Sequence, residues 1–562
     1  MRAANVIGRV GGLAIALGVG AAVAGGAGTA WADSTAGPTK HASHASNSSQ
    51  SSARAERAHA VVTGPRATAK AARPAATRVS VAAPEPSAGD NPVSPAESPV
   101  GLALAAFTRR ESSAVATKAI TPQAAPAAAA ESTAVIMSPS GVPIVKPTYL
   151  ASVFDLYVAP NSPAGTIPEG LDTPEGLYPI TGVKSLPLNV SVPQGLSILD
   201  TEITKQRVAG SSVTVFGYSQ SAIIASLEMS NLDPSTPISF ILVGNEMNPN
   251  GGFLSRFPGL TLPSLGIPFY GPTPPDAFPV TNYTLEYDGF ADFPRYPLNF
   301  LADLNAGLGI IYVHTQYANL TQDQVTPVSQ GGQAIELPTS STTQHYYVIP
   351  TANLPLLEPL RAIPLIGNPL ADLVQPALKV IVNLGYGDPK YGWSNDGYAN
   401  ELTTFGVLPD VDWGEVAGLL VAGVQQGIND FAGDLGPNGS IAHEVSSFVM
   451  PTPEQVITGV ASLPVTIAAD ISGAVAAAYA ALLPTADIIN AFATVLPAYA
   501  LQLFLEGVQQ AVTGDPIGGL VNAVGMPVAA TVGLGTTAAL IELLVIGQAV
   551  EGVLNAGSYS LT

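Results

Sequence analysis

Cysteine is absent from this sequence of 562 residues. Its absence excludes disulfide bonds, thiol catalysis, and zinc or iron–sulfur sites ligated by cysteine. Charged residues make up only 11% of the chain, and the formal net charge is −20. Because nucleic-acid phosphates are bound by basic surfaces, this balance argues against nucleic acid as a partner. No residue pattern in the sequence calls for a cofactor or a metal ion.

The N-terminal quarter of the sequence lacks sustained apolar periodicity. Two arginines precede an apolar stretch from residue 10 to about residue 24, and the Ala-Trp-Ala at 30–32 fits the small-x-small cleavage rule. We therefore expect a Sec-type signal peptide at 1–32 and a secreted or envelope-associated protein. An uncleaved anchor helix is less favoured, because the stretch is short and rich in Gly and Ala. Residues 33–131, rich in Ser, Ala and Pro, are expected to form a disordered linker.

From residue 132 the pattern changes to short apolar β-branched runs that alternate with helix-compatible segments. The strand-like runs are 133–137, 213–216, 238–243 and 282–287. Strands that alternate with helices indicate βαβ units and a largely parallel sheet. We predict an α/β core over residues 132–395.

No Lys or Arg follows Lys390, and the remainder of the chain is apolar and rich in Ala and Leu. Helical patterns recur there, so we predict a helical C-terminal region over 396–562. Residues 516–541 carry no charge and are long enough to span a bilayer, but Gly and Pro interrupt them and no basic residue flanks them. We therefore favour helices that pack on one another or contact membrane or envelope lipid.

The most informative segment is Gly-Tyr-Ser-Gln-Ser at 217–221. An apolar β-branched run ends at its glycine, Ser219 follows two residues later, and a helix-compatible stretch begins at once. This is the pattern of a nucleophile elbow, a sharp turn that presents a serine hydroxyl between a strand and a helix. Ser221 replaces the second glycine of the commoner pattern and is small enough for a tight turn. The context predicts Ser219 as the nucleophile of an acyl-transfer reaction.

A serine nucleophile needs an imidazole to take its proton. Three of the six histidines lie in the predicted linker and are excluded: His41, His44 and His59. His443 falls in the helical C-terminal region and is interpreted as a surface or packing residue. His314 and His345 are the remaining candidates for the base.

The imidazole in turn needs a carboxylate, and in α/β-hydrolase-like chains the acid lies between the serine and the histidine in sequence. Asp288 and Asp292 both follow the strand-like run at 282–287. The order of residues is compatible with either aspartate as the acid of the triad, and with either His314 or His345 as its base.

The oxyanion hole is predicted to combine the backbone N–H of Gln220 with a donor from the loop after the first strand. Ser140 lies in that loop, although Ser, Pro and Gly also cluster there as ordinary turn residues. The long segment 251–279, rich in Pro, Gly and Phe, is either an apolar flap or acyl-binding wall beside the site, or a surface excursion with apolar anchors.

With these residues in place, the chain resembles the mycobacterial PE-PPE-domain proteins, a family of cutinase-like serine hydrolases. The matching segments are 217–221, 287–294, 312–314, 354–361, 366–372 and 383–389. The resemblance implies an α/β-hydrolase (cutinase-like) core with Ser219, Asp292 and His314 as the triad, and keeps Asp288 and His345 in reserve. Many relatives begin with a PE or PPE helical module. Here the predicted signal peptide stands in its place, from which we expect general export rather than type VII secretion.

The resemblance also implies the substrate class, a lipid or another acyl ester. The first hypothesis is an exported serine esterase or lipase that works through an acyl-enzyme. A second is an acyltransferase that moves fatty acyl groups between glycolipids of the cell envelope. A third is a catalytically silent protein of the envelope or the host interface that keeps the fold for binding.

Overall fold

The computed structural model describes residues 132–447 and 463–555. The predicted signal peptide at 1–32 and the predicted linker at 33–131 lie outside the described residues. Ser132, the first described residue, begins the first strand of the predicted α/β core.

A seven-stranded sheet forms the centre of the fold, in the order β2-β1-β3-β4-β7-β9-β8. Its strands are β1 (Ser132–Ile136), β2 (Ile167–Gly170), β3 (Ser212–Tyr218), β4 (Ile238–Val243), β7 (Val280–Leu285), β8 (Ile335–Leu337) and β9 (Gln344–Ile349). All neighbours pair in parallel except β8, which is antiparallel to β9. The central strands are apolar throughout because both faces of a parallel sheet are covered. The predicted α/β core with a largely parallel sheet is confirmed.

Helices cover the sheet and continue beyond it. Those up to residue 447 are α1 (Pro147–Val153), α2 (Leu188–Val208), α3 (Gln220–Glu228), α4 (Phe253–Arg256), α5 (Phe300–Tyr312), α6 (Gln322–Val325), α7 (Glu358–Arg361), α8 (Gly367–Asn383), α9 (Trp413–Asp434) and α10 (Ser440–Ser447). Two long helices follow, α11 (Leu463–Thr513) and α12 (Pro516–Asn555). The predicted helical C-terminal region is therefore confirmed.

The strand order determines where a site can form. Strands β3, β4 and β7 are consecutive parallel neighbours, so their carboxyl ends lie at one edge of the sheet. Ligands of open α/β sheets bind at this edge, because the loops that leave the strands converge there. The segments directly after these three strands, 219–221, 244–247 and 286–292, are thereby brought together.

The segment 251–279 is well packed and has structure of its own. It holds α4 and a small hairpin of β5 (Thr261–Leu262) and β6 (Ile267–Pro268). Phe257 is fully buried, with its ring 5.0 Å from that of Phe405. The apolar residues of this segment therefore belong to the main core.

Helices α11 and α12 pack on each other. Helix α12 also packs on α5, and α11 contacts the hairpin strand β5. Asp487 of α11 accepts hydrogen bonds from the hydroxyl of Tyr178, at 2.7 Å, and from that of Ser264, also at 2.7 Å. Gln548 of α12 donates to the carbonyl of Ile180 at 3.0 Å. By length and composition, Leu482–Thr513 and Pro516–Ala549 could each cross a membrane, and 44% of the most apolar part of the second is buried here.

Candidate active site

Ser219 lies at the sharp turn between β3 and α3. Its backbone has φ 59° and ψ −126°, a combination that L-residues rarely adopt. Its N–H donates to the carbonyl of Val243 at 3.1 Å, which ties the turn to the end of β4. This strained strand-to-helix turn is the geometry of a nucleophile elbow.

The residues on either side of Ser219 make the turn possible. A side chain at Gly217 would place its Cβ 2.5 Å from the carbonyl oxygen of Ser221, so only glycine fits. The Ser221 hydroxyl accepts the Tyr218 N–H at 2.8 Å and donates to the Tyr218 carbonyl at 3.0 Å. Ser221 therefore does more than fit a tight turn, because its hydroxyl fastens the first turn of α3 to the end of β3.

His314 approaches the nucleophile from the end of α5. Its Nε2 lies 2.9 Å from Ser219 Oγ. The hydroxyl of Tyr218 donates to the His314 carbonyl, which fixes the backbone of the histidine. A Cβ on Gly244 would lie 3.0 Å from His314 Cε1, so the absence of a side chain there leaves room for the imidazole.

Asp288 is the carboxylate that contacts His314. The imidazole Nδ1 lies 2.9 Å from Asp288 Oδ1 and 2.8 Å from Oδ2. The Tyr317 hydroxyl donates to Oδ2 at 2.7 Å, and the Phe290 N–H donates to Oδ1 at 3.0 Å. Asp288 is fully buried, so these donors take the place of water around its carboxylate.

The surroundings of His314 favour its protonated form. Burial by itself lowers the pKa of His314, but the charge of Asp288, the hydrogen bond that the imidazole donates to it and the charge of Glu246 together raise that pKa above its ordinary value. An imidazolium formed while the serine is being attacked is stabilised in the same way.

Asp292, the acid that the family resemblance favoured, lies elsewhere. Its Oδ2 accepts the N–H of Tyr287 at 3.0 Å, and its charge acts on the buried guanidinium of Arg256. No hydrogen bond among residues 132–447 and 463–555 joins Asp292 to His314. Asp288 lies just beyond the end of β7, where it contacts the histidine, whereas Asp292 lies one turn further on, with its N–H donating to the Asp288 carbonyl at 2.6 Å. The structure therefore brings together His314 and the reserve acid, Asp288.

His345, the other candidate base, lies away from Ser219, as does His443, which was interpreted as a surface or packing residue. His345 pairs in register with Thr281, near the start of β7, at the opposite end of the strands from Asp288. Its Nδ1 lies 2.9 Å from Glu336 Oε1, and both side chains are about half exposed. His443 lies in α10, outside the α/β core.

The two predicted oxyanion residues are in contact with each other. The Gln220 Nε2 donates to Ser140 Oγ at 3.1 Å and to the Gly176 carbonyl at 2.8 Å, while its Oε1 accepts from the Ser191 hydroxyl at 2.6 Å. Gln220 is the first residue of α3, so its backbone N–H has no acceptor within the helix. The side chain of Gln220 is thus fixed, and Ser140 is held beside the N-terminus of the helix that follows Ser219.

Two buried carboxyls beside the site were missed at the sequence level. Glu246 lies three residues beyond β4, with its Oε1 3.3 Å from Ser219 Oγ. Glu175 lies in the loop before α2, and burial raises its pKa to about 8. For Glu246 a signal existed, because it follows the strand next to the nucleophile in the same way that Asp288 follows β7. Glu175 follows the short edge strand β2, which the sequence analysis did not predict, so it had no such signal.

Part of the chain matches a known protein family. The model of the PE-PPE domain matches residues 163–387. An uncharacterized PPE family protein of Mycobacterium tuberculosis, PPE28, is 48% identical over 77% of this chain and 68% of its own length.

Two relatives with named activities come from the same organism. Esterase PE16 is 45% identical over 49% of this chain and 51% of its own length. The SL1278 acyltransferase Chp1 is 31% identical over 38% of this chain and 52% of its own length. The chain therefore spans about half the length of each of these two relatives. Among solved structures, a cutinase-like protein from Cryptococcus sp. matches 29% of this chain at 14% identity, over 79% of its own chain, with a TM-score of 0.21.

Proposed function

Because the chain belongs to the family of mycobacterial PE-PPE-domain proteins, we propose that it is a serine esterase with Ser219 as nucleophile, His314 as base and Asp288 as the acid that orients it. The observation that carries the proposal is the continuous chain of contacts Ser219 Oγ–His314 Nε2 at 2.9 Å and His314 Nδ1–Asp288 at 2.8 Å. The name of the relative Esterase PE16 supports the same class of reaction.

Acylation begins when Ser219 Oγ attacks the ester carbonyl and His314 Nε2 takes the hydroxyl proton. Asp288 holds the Nδ1–H tautomer and stabilises the imidazolium that forms. The developing oxyanion is stabilised by the Gln220 N–H and by a donor from Ser140. When the tetrahedral intermediate collapses, His314 gives its proton to the leaving alcohol, and the acyl group stays on Ser219.

Deacylation repeats these steps with a second nucleophile. Water attacks the acyl-enzyme in an esterase, and His314 again takes and returns one proton. If a sugar hydroxyl attacks instead, the same site is an acyltransferase, and the name of the relative Chp1 favours keeping this as the second candidate. Supplying an acyl ester with a trehalose-type acceptor separates the two, because hydrolysis leaves the acyl group as free fatty acid, whereas transfer leaves it as an ester of the acceptor.

A fluorophosphonate probe tests the proposal directly. We expect the folded protein to be labelled on Ser219, because the probe reacts only with an activated serine, and we expect Ser219→Ala to remain unlabelled. Ser197→Ala serves as the control, since Ser197 is an exposed serine of α2 that takes no part in the elbow. Equal labelling of Ser219→Ala and the wild type would overturn the proposal. A folded wild type without label would instead favour the catalytically silent protein.

The proposal extends to an envelope location and a lipid surface as the source of the substrate. The turn between α11 and α12 exposes large apolar side chains, including Val512, Ile517 and Leu520. Since no Lys or Arg follows Lys390, this turn has neither of these side chains to attract anionic headgroups. Apolar insertion into the lipid interface is the contact that such a surface favours.

We expect the protein to float with phosphatidylcholine vesicles and to stay bound at high salt, because apolar insertion is not screened by ions. The double variant Ile517→Glu/Leu520→Glu should bind about tenfold more weakly or worse, given the free energy of burying two such side chains. Val208→Glu is the matched control, since Val208 is 85% exposed at the end of α2. Salt-sensitive binding, or equal loss in the control, would contradict this contact.

A further inference from the structure

The mechanism above leaves one carboxyl at the nucleophile without a role. Glu246 is 2% exposed, and its Oε1 lies 3.3 Å from Ser219 Oγ. Its backbone is fixed, because its carbonyl accepts the N–H of Leu254 at 3.0 Å. Among the described residues, the only cation whose charge is seen to act on Glu246 is His314.

The Ser219 hydroxyl has one proton and two neighbouring acceptors. His314 Nε2 lies at 2.9 Å and Glu246 Oε1 at 3.3 Å. General-base catalysis begins from the rotamer whose O–H points at Nε2. An ionised carboxylate can only accept, so it competes for that proton, whereas a neutral carboxylic acid can donate its own.

Four titratable side chains from different segments of the chain act on Glu246 or feel its charge. Asp288 and His314 belong to the triad, Glu175 lies in the loop before α2, and Tyr270 lies in the segment 251–279. Burial raises the pKa of Glu246 to about 7, and the charge of Asp288 adds to this shift, whereas the charge of His314 and the hydrogen bond with the Ser219 hydroxyl oppose it. A neutral Glu246 is therefore accessible near neutral pH.

We propose, on the basis of the proposed esterase function, that Glu246 is a positioning residue. In its neutral form it donates its O–H to Ser219 Oγ and thereby directs the Ser219 proton to His314 Nε2. The proton of Glu246 stays on its carboxyl throughout, while the serine proton moves to His314 as the bond from Oγ to the acyl carbon forms.

Two opposite ionisations then govern acylation. The rate rises with pH as His314 loses its proton, and it falls as Glu246 ionises through its pKa of about 7. Since the charge of Glu246 also raises the pKa of His314, removing that charge moves the acid limb to lower pH. The wild type should therefore show a narrow bell-shaped profile, and a variant without an ionisable group at 246 should show a broader one.

The rate of fluorophosphonate labelling from about pH 5 to about pH 9 tests this. In Glu246→Gln the amide donates at every pH, so the alkaline limb should disappear and labelling at the alkaline end should be about tenfold or more above the wild type. Glu246→Leu has no donor and should be labelled about tenfold more slowly than Glu246→Gln at every pH. An unchanged alkaline limb in Glu246→Gln, or equal rates for the two variants, would overturn the proposal.

A second measurement does not depend on activity. In protein with ¹³C-labelled glutamate, the Glu246 carboxyl resonance is identified by its loss in Glu246→Gln, and it should titrate near 7. Titration at about 4, as for an ordinary glutamate, would overturn the positioning role even in an active enzyme. If labelling of the wild type does not depend on Ser219, the proposed function fails, and this titration still shows whether Glu246 is neutral at the serine. Thermal unfolding of both variants checks that they fold.

Discussion

Asp288→Asn is expected to lower kcat for hydrolysis of a p-nitrophenyl ester by roughly four orders of magnitude. The carboxylate accepts from His314 Nδ1 at 2.8 Å and holds the tautomer whose Nε2 can take the Ser219 proton. An asparagine can present its NH₂ group to Nδ1, which favours the wrong tautomer, and it provides no charge to stabilise the imidazolium. Steady-state kinetics on the folded variant gives the result.

Asp292→Asn is the matched control, because Asp292 follows the same strand and is equally buried. Its Oδ2 accepts the Tyr287 N–H and not a hydrogen bond from His314, so we expect kcat within about tenfold of the wild type. His314→Ala should match the loss in Asp288→Asn, and His345→Ala should keep most of the activity. A severe loss in Asp292→Asn, with little loss in Asp288→Asn, would restore the assignment favoured by the family resemblance.

Arg256→Met is expected to lower the free energy of unfolding by about 3–5 kcal/mol, the usual cost of removing one partner of a buried charged network. The guanidinium is fully buried, and burial lowers its pKa to about 10. It donates to the Asn250 carbonyl at 2.9 Å, to Ser394 Oγ at 2.8 Å and to the Phe293 carbonyl at 3.1 Å. The substitution leaves these acceptors unsatisfied and the nearby Asp292 without its cation.

Urea denaturation of the two proteins measures this loss, and Arg295→Met provides the comparison. Arg295 pairs with Asp396 at 2.8 Å, but the Asp396 side chain is 68% exposed, so the variant should lose only about 0–1 kcal/mol. Similar losses in the two variants would show that Arg256 is no more than a surface cation in its effect on stability.

The sequence correctly predicted those elements of the core whose conformation depends on residues close together in the chain. The β-branched run before Gly217 is a buried strand, and the stretch after Ser219 is a helix. A glycine that admits no Cβ and a serine at φ 59° are properties of the chain within a few residues, so the sequence could indicate them. The loss of basic residues after Lys390 likewise indicated a separate helical region.

The choice between Asp288 and Asp292 was not local. Both follow β7, and the direction of each side chain depends on a partner from a distant part of the chain. Tyr317 and His314 surround the first carboxylate, and Arg256 lies near the second. Four residues of spacing along a turn cannot reveal which side chain meets which partner.

A parallel α/β core, a serine at a strained elbow and a short list of acids and bases follow from the sequence alone, because hydrophobic periodicity and turn chemistry depend on neighbouring residues. Which acid holds His314, and that Glu246 faces Ser219, depend on how the chain folds in three dimensions. The parallel order β3-β4-β7 brings three loops to one edge of the sheet, where contacts between residues far apart in sequence are made.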